Sequence, residues 1–120
     1  MRISNGCNNL EPFKHVRINK IVKLRLFDSV DRQWAKNVVD LNYEILSVSQ
    51  FTLFASTSKG SKPDFHTSMK TDEARSMYSK FLVDLKLVYP KVQDGEFGAM
   101  MDVELINDGP VTIILDSHSK

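Results

Sequence analysis

Apolar spacing predicts an α/β fold, short strands with helices laid over them, and three stretches carry that prediction. From Tyr43 to Phe54 the chain alternates between two faces, one with Leu46, Val48, Gln50, Thr52 and Phe54, the other with Ile45, Ser47, Ser49, Phe51 and Leu53. Ala74, Met77, Tyr78, Phe81, Leu82, Leu85, Val88 and Tyr89 recur at helical spacing. Gly98 to Asn107 sets Ala99, Met101, Val103 and Leu105 against Asp102 and Glu104, the pattern of a half-buried strand.

The remaining elements follow in order. Residues 1–12 are polar and expected to be flexible, and 13–120 are expected to form one domain, since no repeat or Pro/Gly-rich linker interrupts them. Phe13 to Phe27 reads as a short helix running into a strand. Ala55 to Phe65, with Gly60 and Pro63, reads as a loop. Thr71 is the expected N-cap of the long helix, Asp72 and Glu73 suit its first turn, and Pro90 ends it. Asp94-Gly95 signals a turn. Asn107-Asp108-Gly109-Pro110 breaks the next strand, and Val111 to Leu115 resumes a last one.

Composition narrows the function classes. The chain has 120 residues and a formal charge of +1, so it is no polycation that grips nucleic acid along its whole surface; any RNA contact must be local. One basic run is visible, Lys14, Arg17, Lys20, Lys23 and Arg25. The lone Cys7 excludes an internal disulfide and suits a reducing compartment, and no apolar run reaches the roughly 18 residues of a membrane span, so a cytoplasmic protein without a membrane partner is expected. His15, His66 and His118 are isolated from one another and from Cys7, which argues against a metal centre, and no phosphate-cradling glycine pattern or serine-hydrolase elbow is present. No cofactor is expected.

Two local features remain. Ser49-Gln50-Phe51-Thr52 puts polar groups at the end of an apolar strand, where unsatisfied hydroxyls and amides cost roughly 1–3 kcal/mol and call for partners or a ligand. An ordinary strand end is the alternative. Asn107-Asp108-Gly109-Pro110-Val111-Thr112 contains an X-Pro bond, which can be cis at a cost of about 0.5–1 kcal/mol; a plain Gly-Pro turn is the alternative here.

Taken together, "LSVSQFTLFA", "KGSKPDFH" and "FGAMMDVELINDGPVTIILDS" resemble the D-aminoacyl-tRNA deacylases in order and spacing from about Lys20 to Ser117. The resemblance implies that family's fold, a mixed, largely antiparallel, curved and barrel-like sheet with covering helices. It implies hydrolysis of the ester of D-aminoacyl-tRNA, and of glycine mischarged on tRNA, as a proofreading step in translation. The implied partners are the tRNA substrate and a second copy of the chain, in a homodimer with active sites at the interface. The SQFT element matches Ser49, Gln50, Phe51 and Thr52 as catalytic pocket residues; backbone N–H groups near Phe51 and Thr52 would hold the ester carbonyl and developing oxyanion, with Thr52 a pocket residue rather than a nucleophile. The NxGPxT element matches Asn107, Gly109, Pro110, Val111 and Thr112 as the substrate filter, with a cis Gly109-Pro110 bond whose carbonyls, entering the partner's pocket, exclude an L side chain. Lys59 and Lys62, on the loop after SQFT, are the expected tRNA contacts.

The N-terminus departs from the family. Members begin with strands, among them a Gln-Arg-Val element whose arginine supports the Gly-Pro motif, and nothing like it occurs in Met1 to Lys20. A sheet without its first strands is expected to expose unpaired edges and apolar surface. The alternative function is therefore a noncatalytic remnant or a tRNA-binding protein of the same family.

Overall fold

The computed structural model describes residues 15–116, with side chains from residue 18 onward. The flexible segment expected over 1–12, with Cys7, Lys14 and His118, lies outside the described residues, as does the side chain of Arg17.

The helix expected after Phe13 is present as α1, His15–Lys23, and it buries Ile18 and Val22, four residues apart on one face. The strand expected to follow it shrinks to one antiparallel bridge between Phe27 and Lys36. The long helix, α2, spans Thr71–Val88. Its buried residues, Tyr78, Phe81, Leu82 and Leu85, form a single stripe that packs on Ile18 and Val22 of α1. Thr71 is not its N-cap: the Ala74 N–H already bonds the Lys70 carbonyl, so helical bonding starts one residue earlier and Lys70 takes the cap position without a side-chain bond. At the other end Tyr89 turns to extended backbone and Pro90 prevents continuation.

Two short strands complete the core. β1, Ile45–Ser47, pairs in parallel with β2, Val92–Asp94, in the register Ile45↔Val92, Leu46↔Gln93, Ser47↔Asp94. α2 lies in the crossover between them, as a parallel pair requires. Two tyrosines tie α2 and its end to the first strand region. The Tyr78 hydroxyl donates to the Ser47 carbonyl at 3.0 Å and also meets Ser47 Oγ at 3.0 Å, while the Tyr89 hydroxyl donates to the Tyr43 carbonyl at 2.6 Å.

The architecture is α/β, as expected, but the sheet differs from the expectation in three ways. The strand from Tyr43 to Phe54 ends at Ser47, and Phe51–Phe54 winds into a turn of 3-10 helix. Gly98–Asn107 and Val111–Leu115 form no ladder, because no strand lies beside them among the described residues. Their apolar side chains stand open: Leu105 is 69%, Ile106 99% and Ile114 81% exposed. Among the described residues the named pair is parallel, antiparallel pairing occurs only as isolated bridges, and the two strands form an open sheet rather than a barrel. Neither described helix is long and apolar enough to cross a membrane.

Candidate active site

Beyond Ser47 the chain leaves the sheet, and Val48, Ser49, Gln50, Phe51 and Thr52 form one wall of a cavity of about 710 Å³. Tyr78, holding Ser47 from below, fixes where that wall starts and itself lines the cavity. The opposite walls come from Ser68 and Met69 before α2, from Thr71 and Ala74 in its first turns, and from the segment Phe97 to Met101. Gly95 sets the path of that segment: a Cβ there would meet Met101 Sδ at 3.3 Å and Val48 Cγ2 at 3.9 Å, so a small residue lets Met101 fold back toward β1.

All four residues of the first motif are thus gathered at one cavity. Ser49 is half-buried, whereas Gln50, Phe51 and Thr52 are exposed on its rim. Gln50 Nε2 donates to Thr52 Oγ1, so the two side chains that alternation placed on one face do meet, although through the 3-10 turn rather than along a strand. In such a turn the first N–H groups have no partner within the helix and point outward from its start. The Ala55 N–H bonds the Thr52 carbonyl and closes the turn.

Among the described residues that line the cavity, none is a base that could activate the Thr52 hydroxyl. His66 does not line the cavity; its Nδ1 donates to Asp64 Oδ2 at 2.6 Å and its backbone N–H donates to Asp64 Oδ1 at 3.0 Å, closing a small exposed clip. The Asp64 carboxyl is held below its ordinary range, first by that backbone N–H, against an opposing effect of desolvation, with the imidazole's hydrogen bond and charge adding to the lowering. The clip braces the neighbouring Phe65, whose ring meets Phe51 edge-on at 5.0 Å and steadies the 3-10 turn. Between them, Ser56 and Asp64 exchange two backbone bonds of 2.9 Å each, which close the expected loop at its base and leave Lys59 and Lys62 exposed on it.

The second motif lies elsewhere. The Gly109-Pro110 peptide is cis, as expected, and Gly109 has φ +128°. A Cβ on Gly109 would come within 3.0 Å of the Val111 backbone N, so conformation and space both demand glycine there. Asn107, Gly109, Pro110, Val111 and Thr112 are exposed, and none lines the cavity of its own chain. Among the described residues no three His, Cys, Asp or Glu side chains converge as metal ligands.

Several cavity residues carried no signal in the sequence. Ser68 lines the wall with a buried Oγ that has no hydrogen-bond partner. Met69, Phe97 and Met101 read as ordinary apolar residues, and only the path of the chain brings them to the SQFT turn. Ser49 to Thr52 did stand out in the sequence, though as a polar strand end whose significance came only with the second motif.

The family model for D-Tyr-tRNA(Tyr) deacylase matches residues 11–116. The D-aminoacyl-tRNA deacylases of Candida glabrata and Saccharomyces cerevisiae are each 55% identical over 101 residues, covering 82% of this chain and 68% and 67% of theirs. That of Drosophila melanogaster is 51% identical over 102 residues, covering 83% of this chain and 64% of its own length. The chain therefore spans about two thirds of these relatives. A solved structure of the c-Myc DNA Unwinding Element Binding Protein superposes with a TM-score of 0.80 at 44% identity, covering 94% of this chain and 76% of that one. With a family model over most of its length and half its residues shared with curated members, this chain belongs to the D-Tyr-tRNA(Tyr) deacylase family.

Proposed function

We propose that this chain hydrolyses the ester joining a D-amino acid to tRNA, releasing the free amino acid and the tRNA. The observation that carries the reading is the convergence of Ser49, Gln50, Phe51 and Thr52 on one wall of a cavity large enough for an aminoacylated nucleoside. The chemistry is positional. N–H groups at the start of the Phe51–Phe54 turn hold the ester carbonyl and receive the oxyanion as water attacks, so a backbone fixed before the substrate arrives does the work of an activated side chain. Thr52, already engaged by Gln50, shapes the pocket.

Chirality is set by a second copy. Residues 13–120 act as the deacylase unit, two units pair into a cytoplasmic homodimer whose sheets close further than the two strands of one chain, and Asn107, Gly109, Pro110, Val111 and Thr112 of each reach the pocket of the other. A fixed backbone there excludes any L side chain whatever its chemistry, and it admits D residues and glycine alike. Lys59 and Lys62 contact phosphates of the tRNA. A second reading, a noncatalytic family member that binds tRNA, is favoured by the unpaired segment Gly98–Leu115 with its exposed leucine and isoleucines. Release of labelled D-tyrosine from D-tyrosyl-tRNA separates the two: turnover supports the enzyme, and tRNA binding without turnover supports the binding protein.

A further inference from the structure

The described cavity wall contains hydroxyls, an amide and apolar groups, but no charged side chain. The end of an RNA cannot enter such a pocket without bringing a phosphate to its mouth, one linkage away from the terminal nucleoside, and that charge needs a cation beside the wall. Arg75 occupies that place. It is exposed on α2 directly after the wall residue Ala74, and its guanidinium carbon sits 4.7 Å from the ring centroid of Phe97, another wall residue. A Cβ built on Gly98, the next wall residue, would lie 3.9 Å from Arg75 Nη2, so the guanidinium borders the cavity lining on two sides.

The group is also unspent. The ion pairs among the described residues are His66 with Asp64 and Lys86 with Asp94; Asp72 and Glu73, though in the same first turns of α2, stay beyond ion-pair distance of Arg75. The guanidinium lies over the Phe97 ring and makes no ion pair among the described residues, which leaves its N–H groups open to forked contact with a phosphate.

We propose that Arg75 binds the phosphate linking the terminal nucleoside of the substrate to the rest of the tRNA, and so seats the ester at the SQFT turn. This rests on the deacylase reading and names what the mouth of that pocket takes. Arg75 is here a binding residue outside the chemistry. Its contact exists only when the substrate carries that phosphate.

The test compares wild type, Arg75→Gln and Arg75→Lys on D-tyrosyl-tRNA and on adenosine esterified with D-tyrosine, which has no phosphate, with circular dichroism to verify that α2 is intact. Arg75→Gln should lower kcat/KM on the tRNA substrate about tenfold, mainly through KM, the size of one exposed charge-assisted contact, and Arg75→Lys should recover part of it. On the adenosine ester the loss should shrink below about twofold. The logarithmic salt slope of tRNA binding should also fall by roughly 0.7–0.9 in Arg75→Gln. Equal losses on both substrates, or none on either, overturn the proposal. If wild type turns over neither substrate, the deacylase reading fails, and uncharged tRNA decides separately: a reduced slope keeps Arg75 as a phosphate contact, and an unchanged slope removes it.

Discussion

Thr52 accepts a hydrogen bond from the Gln50 amide, and among the described residues lining its cavity there is no base, His66 lying outside that lining. A hydroxyl in that state is a poor nucleophile. Thr52→Ala should therefore retain deacylation within about tenfold of wild type, the loss expected of a positional contact; a drop of several orders of magnitude with the fold intact would make the hydroxyl the attacking group. Gly109 makes the opposite prediction. At φ +128°, with the Val111 N atom 3.0 Å from where a Cβ would stand, alanine is strained by about 1–3 kcal/mol and must move the Asn107–Thr112 backbone. Single-turnover kinetics on Gly109→Ala should show at least a tenfold loss or a relaxed preference for D substrates. Wild-type rate and selectivity would remove the motif from the filter. Each motif alone reads as an ordinary strand end or Gly-Pro turn, and only their order and spacing together mark them, whereas Ser68 and Arg75 carry no mark at all, because a serine before a helix and an arginine on its exposed side are ordinary until the cavity is known.

α2 supports the site as an element, since it carries Tyr78 under β1 and Ala74 along the cavity wall. Its packing centre is Leu85, 1% exposed against α1. Leu85→Ala should cost about 2–5 kcal/mol, read as a lowered denaturation midpoint, while Leu87→Ala on the 75% exposed face should stay within about 0.5 kcal/mol of wild type. Equal effects would mean that the stripe does not form the core. This helix was readable to within one residue because eight apolar positions share one period. β2 was not readable: three residues between Pro90 and Gly95 are too few to show alternation. Gly98–Leu115 shows the converse failure. Its alternation is real, but a ladder needs a neighbour as well as a pattern, and no strand is at hand among the described residues.

At the scale of the whole molecule, the described helices and strands form a core that carries the cavity wall, and a long apolar segment stands open beside it. The α/β class was legible because a helical period and the alternation that holds β1 are local signals. The width of the sheet was not, because it depends on which strands find partners. The same division runs through the proposed site: the residues of the SQFT turn meet within one chain, whereas the chirality filter is proposed to come from a second. The decisive measurement is the rate at which the purified chain hydrolyses D-tyrosyl-tRNA and L-tyrosyl-tRNA, run in parallel across a range of protein concentrations. Turnover of the D substrate at a rate at least about a hundredfold above the L substrate, a discrimination of roughly 2.7 kcal/mol, with activity rising more steeply than protein concentration as pairs form, is the predicted result. Hydrolysis of neither ester, or of both at equal rates, would contradict it.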